Sequence, residues 1–339
     1  MLKGSVALVL CCLAAPAAGE FATSRFTRAH QRQYRGLEQR REGRFSRAFY
    51  FVVAADTQLG FRANNEGFAH ESRLVTRLVR RLNRICPRPR ALVIVGDMIN
   101  MPAYSPKKYA AQRDEHRRLF ARLRREIALV HVPGNHDVGS SPSRKLIEIY
   151  RRDFGDDYFT FWLGGVKGIV INSSSLNRPG RFRRHLRQQT RWLRRELKSA
   201  VRERPAHLFV FQHHPWYVRR PEEPDNFFSM RRELRRPWLR ALQRAGARVV
   251  FSGHFHHNLF LRHRSLELLT VTAMGVPVRQ STPDEDRTIN PQGVLLVEVT
   301  RKRVLTSYVR LSQIPRRFYF TRQASPCQRS SLTWPPCGS

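Results

Sequence analysis

The 339-residue sequence lacks a hydrophobic run that is long enough to cross a bilayer as a helix. Its N-terminal apolar stretch, residues 6–15, is too short for a membrane span. The chain also has no internal repeat and no recognisable nucleic-acid-binding motif. The last absence argues against nucleic acid as a partner, and nothing in the sequence indicates an oligomeric state.

Acidic residues are scarce. The chain has 26 Asp and Glu residues against 62 Lys and Arg residues, which gives a formal net charge of +36. Arginine supplies 55 of the 62 basic residues. Such a surface would attract phosphorylated substrates, anionic membranes or nucleic acid, but a drift in codon composition could produce the same excess. Charge alone therefore does not identify a partner, whereas 41% hydrophobic residues are enough to bury a core.

The first residues have the layout of a signal peptide. Lys3 precedes the apolar stretch, and the small residues Ala15, Ala17 and Ala18 lie at its C-terminal end. A short buried N-terminal strand or helix is the alternative. A signal peptide over residues 1–18 predicts a protein of the secretory pathway or the extracellular space, with an organelle or the cytoplasm as the alternatives.

Cysteine is sparse, and two of the five cysteines, Cys11 and Cys12, would be removed with the leader. Cys327 and Cys337 could close a short disulfide loop in an oxidising compartment, or could remain free thiols in a loose tail. We expect Cys86 to be buried rather than reactive.

The remaining sequence predicts a single α/β domain at residues 48–312. A basic N-terminal arm, residues 19–47, precedes it, because residues 24–47 hold eight arginines against two glutamates. A C-terminal tail, residues 313–339, follows it. Apolar runs that alternate with amphipathic segments predict mixed sheets covered by helices. The predicted strands lie at 48–54, 91–95, 128–132, 158–163, 168–171, 208–211, 249–251, 266–272, 293–299 and 303–309, and the first two predicted helices lie at 70–83 and 109–124.

Five short stretches, each directly after a predicted strand, are rich in metal-binding side chains. They are Asp56-Thr57-Gln58, Gly96-Asp97, Gly134-Asn135-His136-Asp137, His213-His214-Pro215 and Gly253-His254-Phe255-His256. Loops at the carboxyl ends of strands converge on the ligand crevice of an open α/β sheet. Any one stretch is weak support for a site, but five in this order are hard to obtain by accident.

These residue types suit a pair of divalent cations about 3.5–4 Å apart, which can hold a phosphate and activate a bridging water for in-line attack. Such a pair needs a shared carboxylate together with neutral imidazoles and oxygen donors. Asp97 is the natural bridging ligand. Asp56 and His256 would hold one metal, and Asn135, His213 and His254 would hold the other.

The order D-x-Q, GD, GNHD, H-x-P and GHxH resembles the calcineurin-like metallophosphoesterase superfamily. The stretches VVAADTQLG, VIVGDMIN, VHVPGNHDVG, FGDDYFTFWLGGV, FQHHPWY and VVFSGHFHHN are similar to a branch described as serine/threonine protein phosphatases. The resemblance spans roughly residues 48–310. It implies a metallophosphoesterase-type β-sandwich of mixed sheets flanked by helices, with two divalent metal ions drawn from Mn, Mg, Fe or Zn.

The resemblance also implies roles for individual residues. It adds His136 as general acid or transition-state donor at the leaving-group oxygen, oriented by Asp137. It selects His213 as the metal ligand, so that His214 packs or faces solvent. It places Gln58 in the first metal site, where most of the superfamily has histidine.

Gln58 is the weakest of the predicted ligands. A neutral amide could mark a catalytically dead site, but its carbonyl oxygen is a legitimate ligand for Mg²⁺ or Mn²⁺. The branch itself uses glutamine at this place. We therefore expect Gln58 to weaken the first metal site and to disfavour zinc there.

The main functional hypothesis is a metal-dependent phosphomonoesterase that acts on phosphoserine or phosphothreonine in a phosphoprotein. The same chemistry could instead serve a nucleotide, a phosphodiester or a phospholipid headgroup, because a fold does not determine its substrate. A basic module that binds anionic surfaces through its charge, with a vestigial metal site, is the alternative outside enzymes.

Overall fold

The computed structural model describes residues 25–178, 180, 182–277 and 291–321. Its helices are α1 (Gln39–Glu42), α2 (Ala69–Arg84), α3 (Pro106–Phe120), α4 (Asn135–Val138), α5 (Arg144–Phe154), α6 (Ser173–Asn177), α7 (Arg183–Glu203) and α8 (Arg232–Arg244). Its strands are β1 (Ala29–His30), β2 (Gln33–Tyr34), β3 (Phe49–Ala54), β4 (Ala91–Val95), β5 (Ala128–Val132), β6 (Phe159–Leu163), β7 (Val166–Val170), β8 (His207–Phe211), β9 (Ala247–Ser252), β10 (Leu259–His263), β11 (Leu266–Thr270), β12 (Gly293–Val299) and β13 (Val304–Arg310).

Two mixed sheets form a sandwich. The five-stranded sheet has the order β13-β12-β3-β4-β5, in which β3, β4 and β5 are parallel. The eight-stranded sheet has the order β1-β2-β6-β7-β8-β9-β11-β10, with β7, β8, β9 and β11 parallel. Because the parallel strands of each sheet end at the same edge, the loops that follow β3, β4, β5, β8 and β9 gather there.

The alternation of side chains along β3 shows how the layers are held together. Phe51 and Val53 point into the core between the two sheets, where Phe51 meets Phe209 at 5.9 Å between ring centroids. Val52 and Ala54 point to the opposite face and pack beneath α2, α3 and α5. A third apolar cluster joins the outer face of the eight-stranded sheet to α7 and α8. The predicted β-sandwich of mixed sheets flanked by helices is confirmed.

The packed unit extends beyond residues 48–312 at both ends. In the stretch that was interpreted as a basic arm, Tyr34 is buried and its hydroxyl donates to the Leu129 carbonyl oxygen at 2.8 Å. After residue 312, Ile314 is buried and Phe318 stacks on Tyr50 with ring centroids 3.9 Å apart. The sequence did not reveal these few buried apolar residues, because they lie among many arginines and are too widely spaced to produce a periodic pattern.

The prediction that Cys86 is buried is wrong, because this residue is exposed. It follows α2, and its backbone accepts a hydrogen bond from the Phe318 amide and donates one to the Arg316 carbonyl. This bridge fixes the main chain while the side chain faces outward. The predicted leader and the Cys327–Cys337 loop lie outside the described residues. Within the described ranges, no helix is both long and apolar enough to cross a membrane.

Candidate metal centre

The predicted ligand residues lie at the edge where the loops of both sheets gather. Asp56 follows β3, Asp97 follows β4, and Asn135 opens α4 directly after β5. The other sheet contributes His213 after β8 and the pair His254 and His256 after β9. All seven predicted ligands, including Gln58, are buried.

The closest group is centred on the His213 ring. Its Nε2 atom lies 3.1 Å from Asp97 Oδ2 and 3.0 Å from Asn135 Oδ1. Asp97, His213 and His254 each offer one ligand atom within 4.8 Å of the others, a spacing that a single cation can bridge. This group contains the predicted ligands of the second metal.

A second group surrounds Asp56. The Nε2 atom of His256 lies 3.3 Å from Asp56 Oδ1, and His213 Nε2 lies 4.0 Å from the same oxygen, which connects the two groups. Gln58 is 1% exposed, and its amide nitrogen donates to Asn100 Oδ1 at 3.2 Å. Its Oε1 atom is buried and has no hydrogen-bond partner among the described residues. An unpaired buried carbonyl oxygen is costly, and a hard cation would satisfy it.

The three histidines predicted to be ligands share one arrangement. In each ring, one nitrogen pairs with a backbone carbonyl oxygen: His213 Nδ1 with Val95 at 2.9 Å, His254 Nε2 with Phe227 at 3.1 Å, and His256 Nδ1 with Val276 at 2.8 Å. A carbonyl can only accept, so that nitrogen carries the proton. The other nitrogen of each ring then has its lone pair available, which is how ligand histidines are oriented in metal sites.

Five of the seven predicted ligands have left-handed backbone conformations, with φ between 39° and 66°: Asp56, Gln58, Asp97, His254 and His256. Non-glycine residues adopt this conformation rarely, and such strain clusters at functional sites. Each strained turn directs its side chain back toward the shared edge of the sandwich.

Glycine is needed beside the Asp97 carboxylate, the predicted bridging ligand. A Cβ atom on Gly134 would lie 2.1 Å from Asp97 Oδ1 and 2.3 Å from the Asp97 amide nitrogen. The close approach of Asp97 therefore leaves no room for a Cβ atom at this position. Gly96 has a true left-handed φ of 96°, which glycine adopts without strain.

The predicted contact between Asp137 and His136 is not present. His136 Nδ1 pairs instead with the Asn100 carbonyl oxygen at 2.6 Å. The Asp137 carboxylate accepts the backbone amides of Gly134 and Asp97, both at 2.8 Å, and that of Met98 at 3.0 Å. Asp137 therefore holds the turns that carry Asp97, whereas Asn100 orients the imidazole. Asn100 was the site residue that sequence reasoning missed, although it lies within the resembling stretch VIVGDMIN.

The buried carboxylates and imidazoles shift one another's pKa values. Burial lowers the pKa of His213, but the Asp97 and Asp56 carboxylates outweigh burial and raise it to about 9. Burial raises the pKa of Asp97, and the neighbouring imidazoles more than reverse this effect. Burial and the nearby His213 lower the pKa of His254 to about 3. A cation at this position would replace the His213 proton as the charge that balances Asp97.

His214 does not join the ligands. Its ring is buried, and its Nδ1 atom pairs with Ser173 Oγ at 2.9 Å. Of the two predicted alternatives, packing or facing solvent, the structure shows packing within the protein.

Comparison with known proteins agrees with the interpretation of this cluster of side chains as the metal centre of a phosphoesterase. A family model described as calcineurin-like phosphoesterase matches residues 49–258. The serine/threonine-protein phosphatase CPPED1 of Danio rerio is 33% identical over 304 residues, which cover 86% of this chain and 94% of that protein. The Homo sapiens protein of the same name is 30% identical over 299 residues, 85% of this chain and 92% of its own length.

The fold has a counterpart among solved structures. The crystal structure of a dimetal phosphatase from Danio rerio superimposes with a TM-score of 0.54 at 16% identity, covering 77% of this chain and 99% of the other. That likeness bears on the fold, while the family match spans the loops that carry the ligand residues. The chain therefore belongs to the calcineurin-like phosphoesterase family, a family of metal-dependent phosphoric ester hydrolases.

Proposed function

We propose that this chain is a serine/threonine phosphoprotein phosphatase that works with two divalent cations. One observation carries the proposal: two buried carboxylates, three backbone-oriented imidazoles and two side-chain amides converge at one edge of the sandwich. The relatives named serine/threonine-protein phosphatase, at 30–33% identity over most of the chain, support the substrate class.

The donor set divides between two cations. Asp56, Gln58 and His256 would hold the first, with Asp97 shared between the two. Asn135, His213 and His254 would hold the second. When bound, two such cations supply Lewis acids for the phosphoryl oxygens and an activated water for in-line attack. The mixed oxygen and nitrogen donors suit Mn, Mg, Fe or Zn, with the amide oxygen of Gln58 favouring the harder ions.

We assign the proton donor to His136. Its Nδ1 atom pairs with the Asn100 carbonyl, which leaves Nε2 as the nitrogen that can hold a proton for the leaving oxygen. The ring is half-buried, whereas the ligand side chains are buried, so a substrate can reach it from solvent. The backbone amide of His136 donates to Asp97 Oδ1 at 2.9 Å, which fixes the donor relative to the shared carboxylate.

The proposal is tested by a metal-reconstituted activity screen of the wild-type chain and Asp97→Asn. The substrates are p-nitrophenyl phosphate, phosphoserine and phosphothreonine peptides, nucleotides and a bis-phosphodiester. We expect the phosphopeptides to be preferred and Asp97→Asn to abolish hydrolysis. Preference for a nucleotide or the diester would assign another substrate, and failure on every substrate with both metals bound would refute the hydrolase.

The same variant distinguishes catalysis from charge-driven binding. If the +36 chain were only an anion-binding module, Asp97→Asn would bind anionic vesicles or phosphopeptides as the wild type does, and neither protein would release phosphate. We expect unchanged vesicle binding together with complete loss of phosphate release.

We also propose that the chain enters the secretory pathway, on the basis of residues 1–18 of the sequence. N-terminal sequencing of the protein from eukaryotic cells should then find a start near residue 19. Thiol titration of that material would show whether Cys327 and Cys337 are paired. An intact N-terminus on a protein that stays in the cytosol would contradict the proposal.

A further inference from the structure

Two exposed aromatic side chains lie beside the metal centre. Phe227 is 59% exposed, and its ring centroid lies 5.0 Å from that of the ligand histidine His254. Phe228 is 38% exposed and lies 5.4 Å from the Phe255 ring and 6.3 Å from the His254 ring. Neighbouring apolar side chains that remain exposed next to a polar reaction centre indicate a contact surface.

The loop that carries these rings is held by its own polar network. The buried Glu223 carboxylate accepts the backbone amides of Val218 at 2.9 Å and Arg219 at 2.8 Å. Asn226 Oδ1 accepts the amides of Phe228 at 2.9 Å and Ser229 at 3.0 Å. The phenylalanines are therefore presented by an ordered turn.

A buried arginine supports the loop from below. Arg235, on α8, is 1% exposed, and its guanidinium donates to the carbonyl oxygens of Met230, Pro221 and Glu223 and to Ser229 Oγ. These bonds join both ends of the loop to a helix that packs on the eight-stranded sheet. A contact surface that is rigid before binding loses little conformational entropy when it is occupied.

The loop is also joined directly to the metal centre. The Phe227 carbonyl oxygen pairs with His254 Nε2 at 3.1 Å, and the Met230 amide donates to the Pro215 carbonyl, two residues after His213. The position of the aromatic pair is therefore fixed relative to the ligands. Consecutive residues of an extended peptide are about 3.3 Å apart, so a residue that flanks a bound phosphoserine can reach the Phe227 ring.

We propose that Phe227 and Phe228 form a preformed apolar subsite for the side chain next to the phosphorylated residue of a peptide substrate. The inference rests on the proposed phosphatase function and adds a specificity to it. The occupant is an apolar peptide side chain. The pair lies within one or two peptide residues of the place where the phosphate would bind, and two rings form a surface of about the size of one side chain. The surface would select phosphopeptides with leucine or phenylalanine beside the phosphorylated residue over those with glycine there.

The test uses three phosphoserine peptides of equal length with glycine, serine or leucine at both flanking positions. Phosphate release is measured with the metal-reconstituted wild type, Phe227→Ala, Phe228→Ala and Phe227→Leu. Tyr319→Ala is the control, because Tyr319 is 46% exposed and lies next to Phe318, which packs on the first half of β3, far from Asp56. Binding to phosphatidylcholine vesicles is measured in parallel.

We expect wild type and Tyr319→Ala to favour the leucine peptide by about tenfold or more in kcat/KM. Each alanine variant should lose that preference, and Phe227→Leu should recover part of what Phe227→Ala loses. Phe228→Ala, whose backbone does not contact a predicted ligand histidine, should lose it through a higher KM for the leucine peptide, with kcat and the turnover of the glycine peptide unchanged. Equal turnover of all three peptides by the wild type would overturn the subsite while leaving the phosphatase intact. No turnover of any peptide would overturn both, and a loss of vesicle binding with unchanged peptide preference would assign the rings to a membrane contact instead.

Discussion

Substitution of Gly134 by alanine tests the geometry of the metal centre most directly. The new Cβ atom would lie 2.1 Å from Asp97 Oδ1 and 2.3 Å from the Asp97 amide nitrogen. Real Cβ contacts are not shorter than 3.0 Å, so Asp97 has to move by about 1 Å. The obstacle includes the Asp97 backbone, so a change of side-chain rotamer cannot relieve it.

The shift affects everything that depends on Asp97. Its carboxylate faces His213 Nε2 at 3.1 Å and accepts the His136 amide at 2.9 Å, and the proposed function makes it the ligand shared by the two cations. Overpacking typically costs about 1–3 kcal/mol of stability. A misplacement of about 1 Å in a catalytic group can lower turnover by roughly 100-fold. We therefore expect a moderate loss of stability and a much larger loss of activity.

The assay combines metal content after reconstitution, kcat/KM and the thermal midpoint. Gly67→Ala is the matched control, because its Cβ atom would meet no described atom within 4 Å. Gly134→Ala should lose at least one metal per chain and about 100-fold in kcat/KM, while Gly67→Ala behaves as the wild type. A Gly134→Ala variant with full metal content and activity would show that the close approach of these two turns does not position Asp97.

Gln58→His should tighten metal binding at the first site and increase the preference of that site for zinc, because an imidazole replaces an amide oxygen. Stoichiometric zinc at both sites of the wild type, with no gain in metal affinity in the variant, would contradict this prediction. Burial lowers the pKa of His116 well below its usual value and that of His131 to about 3, and the two Nε2 atoms are 3.0 Å apart. The unfolded chain takes up a proton at His131 below about pH 6.5, whereas the folded chain does so only near pH 3. Stability should therefore fall as pH drops from 6.5 toward 3, by up to roughly 1.4 kcal/mol per pH unit from His131, and the lowered pKa of His116 acts in the same direction. In urea titrations His131→Gln should flatten this slope, and an identical slope in the variant would disprove the assignment.

The sequence predicted the strands that are buried on both faces most accurately. Strands β4, β5 and β12 have the predicted bounds, because each is a mainly apolar run, with His131 as the polar residue of β5 and Glu298 as that of β12. Helix α3 was predicted at 109–124 and lies at Pro106–Phe120, since proline is favoured in the first helical turn and residues 121–127 form turns. The two-residue strands β1 and β2 and the short helices α1, α4 and α6 were not predicted. Strands of two residues and helices of four or five residues are too short to show periodicity.

The site was predictable in its residue types but not in its supporting contacts. The residue types of side chains such as Asp97 and His213 indicate metal binding from the sequence alone. The Asn100 carbonyl that orients His136 does not, because every residue has a carbonyl and only the folded turn directs this one. The role of Asp137 was misjudged for the same reason: its carboxylate meets backbone amides, whose positions depend on tertiary structure.

The strained turns connect the site to the stability of the sandwich. Left-handed backbone at a non-glycine residue costs about 1 kcal/mol or more, so five such ligand positions cannot be held by the turns themselves. Bonds between the turns hold them: the Asp56 amide donates to the Gly96 carbonyl at 3.0 Å, the Gln58 amide to Asp97 at 2.8 Å, and the Gly275 amide to Asp56 at 2.9 Å. Each bond joins one strand end to another, so the strain is balanced by the packing of both sheets. The positions of these predicted ligands are therefore set by the fold, and a cation would add its binding free energy to turns that already face it.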